Sequence, residues 1–150
     1  AMYGLQGNYQ KAFDYLFKAL KMDEEAGNQS LLARDLGNIG SFYNRQGDYS
    51  KSLDYYLKAL NIYEQLGDKN NIAIVLDNIG DLYISVLKYA EAEKYLLRAL
   101  EISDNIGYLL VAKEINEHLV KLYEKMGKSA KALKHYKKYT IDKDSLFKGA

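Results

Sequence analysis

The sequence repeats itself with a period of 40 residues. When the 150-residue chain is aligned with itself at that spacing, small residues, leucines and tyrosines coincide from one end to the other. The coinciding sets include Gly27, Gly67 and Gly107; Ala19, Ala59 and Ala99; Leu20, Leu60 and Leu100; and Tyr43, Tyr83 and Tyr123. Self-similarity of this kind predicts a series of stacked structural units.

Each period has the spacing of two helices. Apolar residues recur at steps of three and four, as in the series Leu53, Tyr56, Ala59, Leu60 and Tyr63. Proline is absent, and glycines fall where helices should stop. The predicted pairs are 31–46 with 49–66, 71–87 with 89–106, and 110–126 with 129–147. Short turns make neighbouring helices antiparallel, with Gly47 and Gly127 at positive φ and Asn8 and Asp48 as N-caps.

The stretch 39–49, followed by Ser52, Tyr56 and Ala59, resembles the tetratricopeptide repeat, and Leu76, Gly80, Tyr83, Ala92 and Ala99 repeat the pattern. The period is 40 rather than about 34 residues, as in kinesin light chains and bacterial sensor and regulator proteins. The segment 136–147 is similar to the ends of repeat arrays in bacterial sensor kinases and transcription regulators, notably those of Bacteroidetes. The resemblance implies an all-α fold, a right-handed α-solenoid of antiparallel helix pairs.

The repeats divide the chain into segments of one tetratricopeptide-type domain. We expect a partial repeat at 1–27, full repeats at 28–67 and 68–107, and a terminal repeat at 108–150 with an extended basic last helix. Only Met2 to Gln6 could represent the first helix of the partial repeat. In the last repeat Asn116, Val120 and Tyr139 replace a leucine, a glycine and an alanine, which is typical of a terminal unit. The chain is expected to be part of a larger bacterial sensory or regulatory protein.

The resemblance also implies a concave groove, lined by the first helix of each pair, that binds a peptide or protein. The polar residues that this places in the groove are Arg34, Asn38, Ser41, Asn44, Arg45, Asp77, Asn78, Asp81, Ser85, Glu117, His118, Lys121 and Lys125. Asn38 and Asn78 can pair with a peptide backbone through their amides, or else bond a neighbouring helix. Asp77 and Asp81 form either an acidic patch for a basic ligand or a solvated helix face.

Enzymatic, metal-binding and cofactor functions are not predicted. Cysteine is absent, and His118 and His135 are far apart on different predicted helices. No phosphate-binding loop or nucleophile motif is present, so no catalytic residue and no small-molecule substrate is expected. Twelve of the fifteen tyrosines fall at recurring repeat positions, which favours packing over nucleic-acid or cofactor binding.

Composition and charge narrow the choice of partners. Hydrophobic residues make up 48% of the chain and the net charge is +1, which argues against disorder, and no apolar run is long enough to span a membrane. Residues 121–150 hold nine lysines against three acidic residues, which favours a solvated outer face over contact with nucleic acid or membrane. A protein or peptide partner is predicted, with a homodimer through Phe13, Leu16 and Leu20 as an alternative. The cell compartment is not determined by these features.

Overall fold

Helices account for almost all of the chain. The structure, a computed structural model, describes the backbone of residues 2–148 and the side chains of residues 8–148. Within that range there are seven helices and no strand: α1 (Met2–Ala26), α2 (Gln29–Arg45), α3 (Tyr49–Leu66), α4 (Lys69–Ser85), α5 (Tyr89–Ile106), α6 (Leu109–Lys125) and α7 (Ser129–Lys148). The predicted all-α class is confirmed, and the predicted ends of α2 to α7 agree to within two residues.

The helices form two compact units, residues 1–67 with α1 to α3 and residues 68–150 with α4 to α7. In the first unit α2 packs against both α1 and α3. In the second unit α4 pairs with α5 and α6 pairs with α7, while α6 also packs on α4 and α5. Each unit thus contains antiparallel pairs joined by short turns.

In each complete pair, the turn that joins the two helices ends at a residue with positive φ. Gly47 has φ 79° and Gly127 has φ 72°, as the sequence predicted. The corresponding residue between α4 and α5 is Leu87, whose φ is 63°. A side chain in this left-handed region costs about 1–2 kcal/mol, so the α4–α5 turn is locally strained.

One of the two predicted N-caps is present. The Asp48 side chain accepts a hydrogen bond from the backbone N–H of Lys51 at 3.2 Å, which caps α3. The prediction for Asn8 is wrong, because α1 runs without interruption from Met2 to Ala26. Continuing a helix through a glycine costs only about 1 kcal/mol, so a glycine before Asn8 does not by itself end the helix. The side chains of Met2 to Gln6 lie outside the described residues.

Glycine allows the two helices of a pair to approach closely. A Cβ atom at Gly40 would lie 2.7 Å from Cδ1 of Tyr56, and one at Gly80 would lie 2.5 Å from Cγ of Leu96. The hydroxyl of Ser52 donates a hydrogen bond to the Gly40 carbonyl at 2.7 Å. These contacts bury Tyr56 and Leu96 in the centre of their pairs.

Stacked aromatic rings recur beside the glycine contacts. Tyr43 stacks on Tyr55 with ring centroids 5.7 Å apart, and Tyr83 stacks on Tyr95 at 5.5 Å. In the last pair Tyr123 stacks on His135, again at 5.5 Å. The assignment of tyrosines to packing is therefore confirmed for these positions. Four other tyrosines at recurring positions are exposed instead of buried in packing: Tyr9 (42%), Tyr15 (74%), Tyr49 (36%) and Tyr136 (51%).

Candidate functional site

The polar positions predicted to line a groove lie on α2, α4 and α6, the first helices of the three pairs. On α2, Arg34, Asn38 and Arg45 are exposed, whereas Ser41 and Asn44 are half-buried. On α4, Asp77 is buried, Asn78 and Asp81 are half-buried, and Ser85 is exposed. On α6, Glu117, Lys121 and Lys125 are exposed and His118 is half-buried. The predicted set is thus polar but not uniformly accessible.

In the first unit, an open depression of about 350 Å³ lies between α1 and α2. Its lining is Ala12, Tyr15, Leu16, Asn38, Ser41, Phe42 and Arg45. One side of this depression therefore offers apolar and aromatic surface from α1, and the other offers an amide and a guanidinium from α2. Mixed lining of this type suits a ligand with both an apolar side chain and polar backbone groups.

Ser41 and Arg34 on α2 are already engaged within the protein. The Ser41 hydroxyl lies 3.0 Å from the hydroxyl of Tyr56. The Arg34 guanidinium lies 3.8 Å from the Asp23 carboxylate and 3.3 Å from the Asp35 carboxylate. Arg34 therefore neutralises acidic groups at the α1–α2 contact, so only part of its charge is available to a ligand.

Asn38 and Asn78 are placed differently from these engaged residues. Asn38 is exposed on α2, and Asn78 is half-buried on α4. Among the described side chains, neither amide takes part in a hydrogen bond within the protein. An amide with two donors and an acceptor left open on a helix surface is able to pair with a peptide backbone.

In the second unit, two side chains of α6 reach two carboxylates of α4. His118 Nδ1 lies 2.7 Å from Asp77 Oδ1, and its Nε2 lies 3.8 Å from Asp81 Oδ1. The Lys121 ammonium donates to Asp81 Oδ1 at 3.2 Å. This cluster ties the first helices of successive pairs together. The carboxylate of Asp77 is thereby buried and bonded, so it is not part of an exposed acidic patch.

Burial and pairing with Asp77 have opposite effects on the pKa of His118. Burial lowers its pKa, but the hydrogen bond and negative charge of Asp77 outweigh burial, and the pKa of His118 is raised above 6.5. Burial also raises the pKa of Asp77, although the contact with His118 opposes that rise. The charged imidazolium is therefore the form that this cluster stabilises at mildly acid pH.

Asp35 is a polar residue that the sequence did not single out. It is 3% exposed, and no hydrogen-bond partner of its Oδ2 atom is found among the described residues. The residues 40 and 80 positions later are Val75 and Ile115, both buried. Burial together with the nearby Asp23 raises the pKa of Asp35 to about 6, although Arg34 opposes the rise. The only signal in the sequence is this acidic residue at an otherwise apolar repeat position.

A second buried polar network links α6 and α7. His135 Nδ1 lies 2.8 Å from Asn116 Oδ1, and the Asn116 amide donates to the Ala112 carbonyl at 3.0 Å. The same amide lies 3.5 Å from Asp142. Burial lowers the pKa of His135 and raises that of Asp142. His135 is therefore engaged in packing the last pair.

Two features of the described residues bear on the class of site. No group of three or more His, Cys, Asp or Glu side chains in that part of the chain could hold a metal ion. None of the helices there combines the length and apolar character needed to cross a membrane. The predictions about metals, cofactors and membranes stay predictions.

The fold is similar to that of several solved structures. BtubC (BKLC) from P. vanneervenii matches with a TM-score of 0.83 and 22% identity, over 96% of this chain and 60% of that one. Aspartyl phosphate phosphatase F from Bacillus subtilis matches with a TM-score of 0.87 and 20% identity, over 98% of this chain and 38% of that one. A Rap protein complexed with Competence and Sporulation Factor matches with a TM-score of 0.58 and 16% identity, over 95% and 50% of the two chains. The chain thus spans less than two thirds of the length of each of these proteins.

Comparison at the level of sequence identifies the family. No curated protein matches the chain. The family model described as tetratricopeptide repeat matches residues 1–64 and 31–105. Together these matches cover more than half of the 150 residues. The chain therefore belongs to the tetratricopeptide repeat family.

Proposed function

We propose that the chain is a non-catalytic interaction module in which the first unit binds a peptide or protein through the polar face of α2 and the second unit binds one through the polar faces of α4 and α6. The observation that carries the proposal is the open amide of Asn38, which lies beside a depression of about 350 Å³ with no hydrogen bond to another described residue. Open polar groups next to apolar surface are what an extended or helical peptide needs to bind.

The side chains around Asn38 indicate the chemistry of the ligand in the first unit. Arg45 supplies a guanidinium that pairs well with a carboxylate, while Leu16 and Phe42 supply apolar surface. A ligand segment with an apolar side chain near an acidic one would satisfy both. The Asn38 amide would hold the backbone between them.

In the second unit, the polar face formed by α4 and α6 is closer to electrical neutrality than the polar face of α2 in the first unit. Asp81 is paired with Lys121, and Asp77 with His118. Asn78, Ser85, Glu117 and Lys125 are the predicted contacts that remain free of these pairs. This arrangement favours recognition of peptide backbone by Asn78 over strong attraction of a highly charged ligand.

The wider role that we propose is regulatory. The module would be the ligand-sensing part of a bacterial signalling protein, with no catalytic residue of its own. Support comes from the repeat family and from one structural neighbour, a Rap protein whose structure is a complex with Competence and Sporulation Factor.

The proposal is tested by selecting peptides from a random library on the immobilised chain and measuring their affinity for variants by calorimetry. Replacing Asn38 and Asn78 together by alanine should weaken binding by about tenfold and leave the melting temperature nearly unchanged. Neither amide hydrogen-bonds another described residue, and changes away from bonded or tightly packed groups alter stability by about 0.5 kcal/mol or less. Asn61 and Asn105, exposed on α3 and α5, provide a matched double-alanine control. Equal affinity for all three proteins would rule out the asparagine contacts.

A second candidate function is self-association through α1. Leu16, Ala19 and Leu20 are half-buried, whereas Tyr56, Ala59 and Leu60, 40 residues later, are 2%, 0% and 7% exposed. Apolar surface left partly open in this way tends to mark an association site. Changing Phe13 and Leu16 to serine should then shift the chain towards the monomer in sedimentation at micromolar concentration. A monomeric unmodified chain would exclude this function.

A further inference from the structure

Helices α1 and α2 meet at two carboxyl groups, those of Asp23 and Asp35. Asp35 is buried on α2, and the side chain of Asp23 on α1 is only 19% exposed. The two side chains lie within hydrogen-bonding reach of each other. One guanidinium nitrogen, Nη2 of Arg34, lies 3.3 Å from the Asp35 carboxylate and 3.8 Å from the Asp23 carboxylate. Two acidic groups thus contact the same basic group.

The charges at this contact do not balance when both carboxyl groups are ionised. Arg34 brings one positive charge against two negative charges, and its side chain is 56% exposed, so water screens its effect. The groups with the largest effects on Asp35 are Asp23 from α1 and Arg34 from α2, and none of these comes from α3, which also packs on α2. A buried charge that shares its partner is costly, and one bound proton makes the contact neutral.

The hydrogen bonds indicate where this proton belongs. Oδ1 of Asp35 is bonded to Arg34, whereas no partner for Oδ2 is found among the described residues. Ionised carboxylates only accept hydrogen bonds, so Asp23 and Asp35 cannot bond each other when both are charged. A proton on Oδ2 of Asp35 makes that oxygen a donor, and the Asp23 carboxylate is the acceptor within reach. The buried oxygen then has a partner.

The second unit contains the same kind of junction without charge. Asp23 corresponds to Ser103 on α5, and Asp35 corresponds to Ile115 on α6, 80 residues later in each case. Both residues are 0% exposed, and the Ser103 hydroxyl donates to a carbonyl of its own helix at 3.1 Å. At these positions α5 and α6 therefore present neutral groups, whereas α1 and α2 present two acids.

We propose that Asp23 and Asp35 form a proton-controlled joint between α1 and α2. With one proton shared by the two carboxyl groups, the contact is neutral and the helices stay packed. When that proton passes to water, two carboxylates face each other beside one guanidinium, and α1 moves away from α2. The proposal does not depend on peptide binding, although the depression beside Asn38 lies between the same two helices and would change shape with them.

The pH range of this change follows from Asp35. Burial and, after it, Asp23 raise the pKa of Asp35 from 3.8 to about 6, although Arg34 opposes the rise. A raised carboxyl pKa stabilises the packed state at low pH, and this contribution is lost as pH rises through the folded value. The ratio of open to packed molecules should therefore increase by about tenfold between pH 5 and pH 7.5.

The opening is measured as a distance between α1 and α3 in the first unit. The chain has no cysteine, so spin labels can be attached at two introduced cysteines, Tyr15→Cys on α1 and Ser50→Cys on α3. Both positions are exposed, and neither substitution removes a charge. Double electron–electron resonance should show one distance at pH 5 and a second, longer distance at pH 7.5. The same distance distribution at both pH values would overturn the proposal.

Variants of the labelled chain assign the opening to the pair. Asp35→Asn has nearly the same shape but does not ionise, so it should keep the packed distance at both pH values. Asp23→Asn should do the same, because a single carboxylate then remains beside Arg34. Glu25→Gln, at an exposed acidic position of α1, is the matched control and should keep the pH dependence. A longer distance that persists in both asparagine variants, or disappears in the control, would show that the pair is not the cause.

Carboxyl ¹³C NMR of the original chain detects the shared proton directly. The Asp35 resonance should titrate near pH 6, and Asp23→Asn should move its midpoint to lower pH, because the negative charge of Asp23 is removed. A purely structural role of Asp35 predicts no such movement. An Asp35 midpoint that is the same with and without the Asp23 carboxylate would overturn the proposal.

Discussion

Leu96 lies over Gly80 so closely that a methyl group on the glycine would be 2.5 Å from the leucine Cγ atom. Changing Gly80→Ala should therefore lower the free energy of unfolding by about 1–3 kcal/mol through overpacking. Chemical denaturation would measure the loss. Gly37→Ala is the matched control, because nothing lies within 4 Å of a Cβ atom at Gly37, and it should stabilise α2 by up to about 1 kcal/mol. Loss of stability in both variants would show that close packing at Gly80 is not the cause.

The left-handed conformation of Leu87 predicts that a glycine at this position makes the chain more stable. Leu87→Gly should raise the free energy of unfolding by about 1 kcal/mol, because φ is 63° and the side chain is 69% exposed, so little packing is lost. Gly127→Ala, at the corresponding turn of the α6–α7 pair, should lower it by a similar amount. A destabilised Leu87→Gly variant would mean that Leu87 contributes contacts that outweigh its backbone strain.

Asp35 makes stability depend on pH. Its pKa is about 6 in the folded chain against an ordinary 3.8, so protonation favours the folded state, and stability is lost as pH rises from about 4 through 6. The shift corresponds to at most about 3 kcal/mol. Asp35→Asn should be more stable than the original chain at pH 7 and about equally stable at pH 4. If the free energies of unfolding of the original chain and of Asp35→Asn change by the same amount between those two pH values, the assignment is contradicted.

The two histidines should titrate on opposite sides of 6.5. Asp77 raises the pKa of His118 despite burial, and burial lowers the pKa of His135. Since the chain has only two histidines, their ring protons can be followed separately by NMR. The stabilisation by His118 is fully present below pH 6.5 and is lost as pH rises through its folded pKa, so His118→Gln should cost more at pH 5.5 than at pH 8. A pKa of His118 below that of His135 would contradict the Asp77 pairing.

The repeat made most of the fold predictable because glycine, alanine and leucine positions mark the contacts between paired helices. Gly40 and Gly80 do lie against the bulky side chains of the following helix. The exceptions arise where a residue departs from the period. Asp35 occupies an apolar position, and Asn8 lies inside the continuous helix α1 instead of at the start of a helix. These outcomes depend on three-dimensional neighbours rather than on spacing.

Less of the candidate site than of the fold could be predicted from the sequence. Spacing placed Asp77, Asp81, His118 and Lys121 on the first helices, but not their mutual pairing. That pairing depends on how α4 and α6 pack, because a side chain 41 residues away satisfies the Asp77 carboxylate. Asn38 and Asn78 have no such partner among the described residues, and for this reason they remain the strongest proposed contacts.

The most direct test of the proposed peptide-binding function is an NMR titration that follows the side-chain amide groups of all asparagines while a library-selected peptide is added. The NH₂ resonances of Asn38 and Asn78 should shift in proportion to the bound fraction, because their amides would hydrogen-bond the peptide backbone. Those of Asn61 and Asn105, exposed on the second helices, should stay in place. Saturable binding that shifts Asn61 and Asn105 but leaves Asn38 and Asn78 unchanged would contradict the account.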